Sequence, residues 1–486
     1  MIGMLSPDDR RVRRPKLLEP ALLVVVSVTL ATLTFFDRPL AVGDGLAYLM
    51  WLDSIAMDGD LDLSNQAAKF GALNTYHIYR EERTGKWASA FPFGIGLLLT
   101  PFYWVGAALD HIPAFRVNDA HFLSIQGVPF AYSLCAMIGV NIYALWTVIL
   151  AYRIARRFAA PWPAAGATVA AFLGTPLLFY SSVDPINSHI AGAFAATAFV
   201  LLWLRARERV HSESNRSRTA ELADLASPSR GPGTRHQVLP WLALGLVGGL
   251  VALCRWQVSL IAVPAVAELL FRRRWREVLA MGLGFALLAW LIPFSWWQMF
   301  GSPFVLPASQ GDTNIAMVAP VNTLRVLFSP VSGLFPWSPL VALTLVGLWP
   351  LARRDRALAW GGMAMFLLQA MVCGMVRDWW AGTGFGMRRM AELYPLYVLL
   401  LAILLSFASW RRWLGVAVWA LTAILAVYGV ALVLARLNFT WTNPWGLARD
   451  TPFRELRYTF SREHWPLMWP VIKDHIGPWA WRKPGP

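Results

Sequence analysis

The stretch RRVRRPKLLEPALLVVVSVTLATLTFFDRPLAVGDGLAYLMWLDSIAMDGDLDLSN, Arg10 to Asn65, decides how the rest of the chain is read. A basic tail ending at Lys16 is followed by an apolar run, Leu17 to Phe36, and then by a segment that places five aspartates between Gly43 and Asn65. A run of about 20 apolar residues is long enough to cross a hydrocarbon core. Basic flanks stay in the cytoplasm, so the N-terminus is expected inside and the aspartates outside. No A-x-A-like cleavage site closes the run, which therefore reads as a retained signal anchor.

Composition extends this reading to the whole chain. Hydrophobic residues make up 57%, charged residues only 15%, and the mean hydropathy is +0.48, a multi-spanning membrane protein rather than a soluble domain. The net charge of +15 is dispersed between apolar runs instead of gathered in one patch, so membrane topology accounts for it and no nucleic-acid partner is expected. Cys135, Cys254 and Cys373 lie within apolar runs at spacings that suit neither a disulfide framework nor zinc.

Apolar segments recur near 17–36, 125–152, 161–181, 186–204, 239–254, 256–271, 278–298, 335–352, 357–375, 390–409 and 413–435, about eleven spans in all. With the N-terminus inside, the clusters Arg153/Arg156/Arg157, Arg205 to Arg235, Arg272 to Arg276, Arg353/Arg354/Arg356 and Arg411/Arg412 all fall on the cytoplasmic side. That agreement requires Phe91 to Leu109 not to cross. Its Pro92, Gly94 and Pro101 suit a segment lying along the outer interface or dipping in as a hairpin. The pair 239–271 reads as two short helices meeting at an outward turn at Arg255, because one long helix would bury that arginine in lipid.

The expected fold is thus an all-α polytopic module over 1–435. It has a long first exterior loop, about 37–124, that contains juxtamembrane helices, a polar and flexible cytoplasmic loop at about 205–237, and an exterior C-terminal tail, 436–486. No internal repeat of the transporter kind is visible. Functional polar residues concentrate outside. Within the first loop, Asp58, Asp60 and Asp62 suit a turn better than a cation loop, and Asp53 is expected on the wet face of an amphipathic helix.

Five exterior segments, in order, carry a family resemblance: GDGLAYLMWLDSIAMDGDLDLSN, KWASAFPFGIGLLLTPFYWVG, GTPLLFYSSVDPINSHIAGAF, VLFSPVSGLFPWSPL and DWWAGTGFGMRRMAELYP. Together they resemble the GT-C superfamily of polyprenyl-phosphate-sugar-dependent glycosyltransferases, which includes protein O-mannosyltransferases, the lipid-A aminoarabinose transferase and the oligosaccharyltransferase catalytic subunit. The resemblance implies a bacterial inner-membrane enzyme that moves a sugar from a polyprenyl phosphate to an exterior glycan, lipid or protein. Many members carry Asp-Glu or Glu after the glycine, whereas this chain has Gly43-Asp44-Gly45.

Asp44 is the position matching the family's loop-one acid. A carboxylate there can take the proton of an acceptor hydroxyl as it attacks the anomeric carbon, inverting it in a single displacement; the plainer role is a helix cap. The resemblance makes Asp184 a possible partner in a divalent-cation site (Mg or Mn) with Asp44, against a simple Asp-Pro turn. His189 is either an orienting group or a structural histidine. Lys86, Arg255 and Arg389 are the expected phosphate contacts, guanidinium groups binding phosphate bidentately; Arg388 is left unassigned, and each could instead anchor a span. Trp380 suits stacking on a sugar ring or anchoring at the interface. The competing function is a transporter or flippase of a lipid-linked substrate, which needs charges near mid-membrane on broken helices; here they gather at the outer edge.

Overall fold

The computed structural model describes residues 18–34, 44–71, 78–116, 127–223, 235–305, 320–382, 384–442 and 451–461. The opening apolar run folds as α1, Leu18–Thr34. The acidic segment folds as α2, Asp44–Asp53, with Asp44 as its first residue, where a carboxylate meets the positive end of the helix dipole. A π turn, Ser54–Asp58, follows and ends at Gly59 with φ of +71°, a conformation that costs glycine little.

The next aspartates close a turn, as expected. Asp60 accepts the Ser54 hydroxyl at 2.9 Å and the Asp62 amide at 3.1 Å. Asp62 in turn accepts the Ser64 hydroxyl at 2.6 Å, which holds its carboxyl below the usual range. The turn leads into α3, Ser64–Lys69. Asp53 departs from expectation: it is buried, paired with Lys69 at 2.7 Å and accepting the Tyr103 hydroxyl at 2.8 Å. Helix α2 has no wet face beyond its first turn, since every residue from Ala47 to Asp53 is buried.

A short antiparallel hairpin, β1 (Ile78–Arg80) and β2 (Trp87–Ser89), precedes α4, Gly94–Asp110. Helix α4 runs through Pro101 without reversing, so of the two readings of 91–109, lying along the outer interface or dipping in as a hairpin, the hairpin is excluded. Its glycines serve close packing instead: a Cβ on Gly94 would overlap the Leu253 backbone, and one on Gly96 would press on the backbone of α2 at 3.2 Å.

The remaining apolar runs form the bundle. Helix α5 is Phe130–Ala155; the 161–181 run breaks at Gly174-Thr175-Pro176 into α6 (Pro161–Leu173) and α7 (Leu177–Ser182). Helix α8, His189–Ala223, carries on well past its apolar part, so the start of the expected flexible loop at 205–237 is helical. Helix α9 (Arg235–Cys254) stops at Arg255, whose extended backbone leads into a 3₁₀ stretch, Trp256–Ala262, and α10, Val263–Phe271. This is the expected break. Helices α11 (Trp275–Ala289) and α12 (Leu291–Phe300) follow nearly end to end.

The 335–352 run is also broken. Short helices α13 (Thr323–Phe328), α14 (Leu334–Trp337), α15 (Pro339–Leu345) and α16 (Leu348–Arg354) lead to α17, Arg356–Met375. A 3₁₀ turn, Arg388–Leu393, opens α18, Tyr394–Ala408, which is buried along almost its whole length and forms the centre of the bundle. Helices α19 (Arg412–Thr442) and α20 (Pro452–Thr459) complete the described chain. Residues 443–450 and 462–486 of the C-terminal tail lie outside the described residues.

Among the described residues, six helices are long and apolar enough to cross a membrane, and Gly94–Asp110, Val238–Cys254 and Trp256–Phe271 are shorter apolar segments. The outer faces of α11 and α19 expose Leu279, Leu283, Leu287, Val416, Ile424 and Val427, apolar surface that a bilayer would cover. The protein is all-α and multi-pass.

Charge separates between the two ends of the bundle. At one end Arg207 pairs with Glu268 at 2.8 Å and with Asp355, while Arg157 pairs with Glu208 and Arg354 donates to the Phe158 carbonyl. These contacts bring together the arginine clusters that the sequence places on one side. The other end holds Asp44, Asp184, Arg255 and the loop before α18.

Candidate active site

Helix α2, the turn between α7 and α8, and the 3₁₀ turn at Arg388 converge on Asp44. Arg388 Nη2 lies 2.8 Å from Asp44 Oδ2, and both side chains are mostly buried. Asp184, in the Val183–Ser188 turn, accepts a hydrogen bond from Asn187 at 3.3 Å. Burial pushes its carboxyl up to about 7, Arg388 is the charge that most opposes this, and Asp44 adds to it. Asp44 thus pairs with the Arg388 guanidinium, and the charge of the same group acts on Asp184. The sequence left Arg388 unassigned; its place in DWWAGTGFGMRR marks the segment but does not tell one arginine from its neighbour.

Local packing holds Arg388 in place. The Arg388 side chain and the Tyr180 hydroxyl lie close over Gly384, so that a Cβ there would come within 2.8 Å of the Arg388 Cδ and Nε and of that hydroxyl. The same hydroxyl accepts the Phe385 amide at 2.8 Å, and the Phe385 ring stacks on Phe179 with centroids 4.6 Å apart. Helix α7 thus grips the loop that carries the arginine.

A second polar layer lies one helical turn deeper. Tyr48, four residues after Asp44 on α2, accepts the Ser188 hydroxyl at 2.8 Å, and Ser188 accepts Arg255 Nη1 at 3.1 Å. Arg255 Nε pairs with Glu392 at 2.9 Å, and His189 Nδ1 meets the same carboxylate oxygen at 2.8 Å. Because Arg255 Nη1 faces His189 Nε2 at 3.4 Å, the geometry fits a neutral ring that donates from Nδ1 to Glu392. Burial pushes the Tyr48 phenol up to about 12, so it remains an O–H. A buried, interlocked network of this kind fixes its members rigidly.

The expected residues are therefore distributed unevenly. Asp44 pairs with Arg388, whose charge also acts on Asp184; His189 and Arg255 belong to the layer beneath. Arg389 pairs with Asp378 at 3.2 Å rather than with either carboxylate, and Trp380 packs edge-on against Trp379. Lys86 is exposed on the β1–β2 hairpin, where its charge acts on Asp62. Among the described residues no group of three or more His, Cys, Asp or Glu side chains is placed to hold a metal ion, and a guanidinium engages Asp44.

No protein-family model matches the chain, and no curated protein sequence matches it. Solved structures do. The crystal structure of ArnT from Cupriavidus metallidurans in the apo state superposes with a TM-score of 0.50 at 13% identity, over 95% of this chain and 77% of that one. The chain has a GT-C-like fold. A second ArnT structure, bound to undecaprenyl phosphate, gives a TM-score of 0.47 at 14% identity. The archaeal oligosaccharyltransferase AglB from Archaeoglobus fulgidus, in complex with an inhibitory peptide and a dolichol-phosphate, gives 0.47 at 13% identity, over 96% of this chain and 60% of that one. ArnT, a lipid A aminoarabinose transferase, and AglB both belong to the GT-C superfamily. In this GT-C-like chain the Asp44 end of the bundle is where the polar residues unused by helix packing collect.

Proposed function

We propose that this chain is an integral-membrane glycosyltransferase that moves a sugar from a polyprenyl phosphate to an exterior glycan, lipid or protein. The observation that carries this reading is the Asp44–Arg388 pair with Asp184 beside it, at one end of a GT-C-like bundle. A carboxylate next to a guanidinium suits a reaction in which a hydroxyl loses a proton while a phosphate leaves. ArnT, whose fold this chain resembles, is known bound to undecaprenyl phosphate.

In the proposed step the acceptor oxygen attacks the anomeric carbon, and the bond from that carbon to the phosphate oxygen breaks. The electron pair stays on the lipid phosphate, and the acceptor proton passes to the Asp44 carboxylate. One displacement inverts the anomeric centre. Arg388 receives the phosphate, and its five N–H donors allow it to serve both Asp44 and a phosphate oxygen. As the phosphate draws on that charge, Asp44 becomes a better base. The buried Asn187 Oδ1, which has no partner among the described residues, supplies an acceptor beside Asp184 for a sugar hydroxyl. Arg255 and His189 hold α2 and the Ser188 turn in register from below, while Arg389, Trp380 and Lys86 border the approach. The arginine clusters gathered at the opposite end support an exterior position for this one.

The test is Asp44→Asn in purified, detergent-solubilised protein given a polyprenyl-phosphate sugar. Transfer should fall by about 10²–10⁴-fold, the range of a lost general base, while undecaprenyl phosphate still binds. Full activity in that variant would remove Asp44 from the mechanism. Mass analysis of surface glycans and lipids in a strain lacking the protein would name the sugar and the acceptor.

A further inference from the structure

Helix α20 has eight residues, too few to cross a bilayer, yet it is seated firmly on the end of α19. Glu455, on its inward face, is 2% exposed, and its carboxylate forms an ion pair with Arg436 Nη1 at 3.1 Å. Thr459, one turn further on, is buried and donates to the Ala435 carbonyl at 3.5 Å. A glutamate is seldom buried so completely unless a partner charge accompanies it, so the Arg436 pair is what allows α20 to dock.

The same guanidinium faces the loop that carries Arg388. Arg436 Nη2 reaches the Gly384 carbonyl at 3.5 Å, and its Cζ lies 5.9 Å from the centre of the Trp337 ring. Trp337 packs edge-on against Phe385 with centroids 5.3 Å apart. Gly386 is so near that a Cβ there would come within 3.5 Å of the Trp337 Cβ. Tyr428, two turns below Arg436 on α19, donates to the Pro336 carbonyl at 3.0 Å and so steadies α14, which carries Trp337. Residues 384–386 are thus held by α7, through Tyr180 and Phe179, and by Trp337 and Arg436.

We propose that the Arg436–Glu455 pair is a brace through which docked α20 positions the 384–388 loop, and with it the Arg388 side chain against Asp44. A guanidinium is planar, so turning Nη1 towards Glu455 also sets where Nη2 points. Without the carboxylate, nothing on α20 orients that plane towards Gly384. The Arg388 shaft lies directly over Gly384, where a Cβ would come within 2.8 Å of its Cδ and Nε, so a shift of this backbone moves the arginine. Arg436 and Glu455 are therefore positioning residues that act on the site through the loop. The consequence for sugar transfer rests on the glycosyltransferase reading; the ordering of the loop does not.

Hydrogen–deuterium exchange of the full-length protein in detergent, read by mass spectrometry over 384–393, 452–459 and 348–354, tests the coupling. In Glu455→Gln, exchange over 384–393 should speed by about tenfold, the equivalent of about 1.4 kcal/mol of local opening, and 452–459 should speed with it. Segment 348–354, in α16 at the arginine-rich end, should exchange as in wild type. Arg436→Lys keeps a charge for Glu455 but lacks the planar fork, so 452–459 should stay near wild type while 384–393 still speeds. That pattern separates a guanidinium that positions the loop from a residue that only stabilises α20. Wild-type exchange over 384–393 in either variant would overturn the proposal. If Glu455→Gln also opens 348–354, the whole bundle has loosened and Arg436→Lys decides. Given a polyprenyl-phosphate sugar, both variants should lose transfer per folded molecule in step with the opening of 384–393. Full transfer in a variant whose loop has opened would overturn the positioning of Arg388. Transfer missing from wild type would instead remove the glycosyltransferase reading and leave the exchange result standing.

Discussion

At the scale of single residues, the two carboxylates at Arg388 have different surroundings. Asp44 has the guanidinium at contact distance and sits at a helix N-terminus, both of which favour its charged form. Asp184 is buried with Asp44 nearby, and its carboxyl is pushed up to about 7. Paired carboxyls whose surroundings push them apart suit different roles, one as base and one as hydrogen-bond donor. The folded-state value lies above the unfolded value of about 3.9, so the stabilising contribution of Asp184 is complete at pH below about 4 and is lost as pH rises towards 7. Asp184→Asn should therefore melt higher than wild type at pH 8, with the gap narrowing by pH 5. Equal gaps at the two pH values would mean that Asp184 does not carry a proton near neutrality. Arg388, Asp44 and Asn187 are the groups facing it, and all three are present in both proteins.

Secondary-structure elements place these residues. Helix α2 offers Asp44 and Tyr48 one turn apart, and the 3₁₀ turn before α18 offers Arg388 and Glu392, so two elements build both polar layers. Helix α4 keeps α2 in place through backbone contact. Because a Cβ at Gly94 would overlap the Leu253 backbone, Gly94→Ala should separate α4 from α9 at the cost of about 1–3 kcal/mol. A lowered apparent melting temperature in detergent, with reduced yield, would show it; a wild-type melting curve would mean that α4 sits further from α9. The sequence marked α4 as apolar and interrupted by glycine and proline. It did not show that the glycines serve contact rather than bending, because that depends on what lies opposite. For the same reason Asp53 looked wet: the spacing on α2 is visible in the chain, but Tyr103 and Lys69, which cover it, are not.

For the whole molecule, charge is divided between two ends. Arg207 ties α8 to α10 and to the cap of α17, its guanidinium engaging Glu268 and Asp355 while Asp355 also accepts the Leu358 amide at 3.0 Å. Arg207→Ala removes the guanidinium that Glu268 and Asp355 share, leaving Glu268 to Arg272 at 3.0 Å, and should destabilise the bundle by about 1–3 kcal/mol, screened in part by solvent. Undecaprenyl phosphate binding per folded molecule should be unchanged, since the residue lies at the opposite end. Loss of binding at full stability would contradict that separation. Topology is tested by single cysteines: Glu82→Cys and Arg411→Cys, both at exposed positions, should react with an impermeant maleimide in intact cells only at position 82. Labelling at 411 instead would invert the proposed orientation.

By itself the sequence determined that the chain is an all-α membrane protein, where most apolar helices run, which end collects the arginines, and that Asp44 and Asp184 are chemically notable. Hydropathy and charge add along a chain, so they can be read locally. Only the tertiary structure decided that Arg388, not Arg389, Arg255 or Lys86, pairs with Asp44, and that Arg255 and His189 form a buried support with Glu392. Those pairings join residues 344 and 203 positions apart, and ion pairs depend on distances through space that no local pattern encodes. The adjacent arginines make the point directly. They have the same chemistry and neighbouring positions in the chain, but the 3₁₀ turn aims one at Asp44 and the other at Asp378.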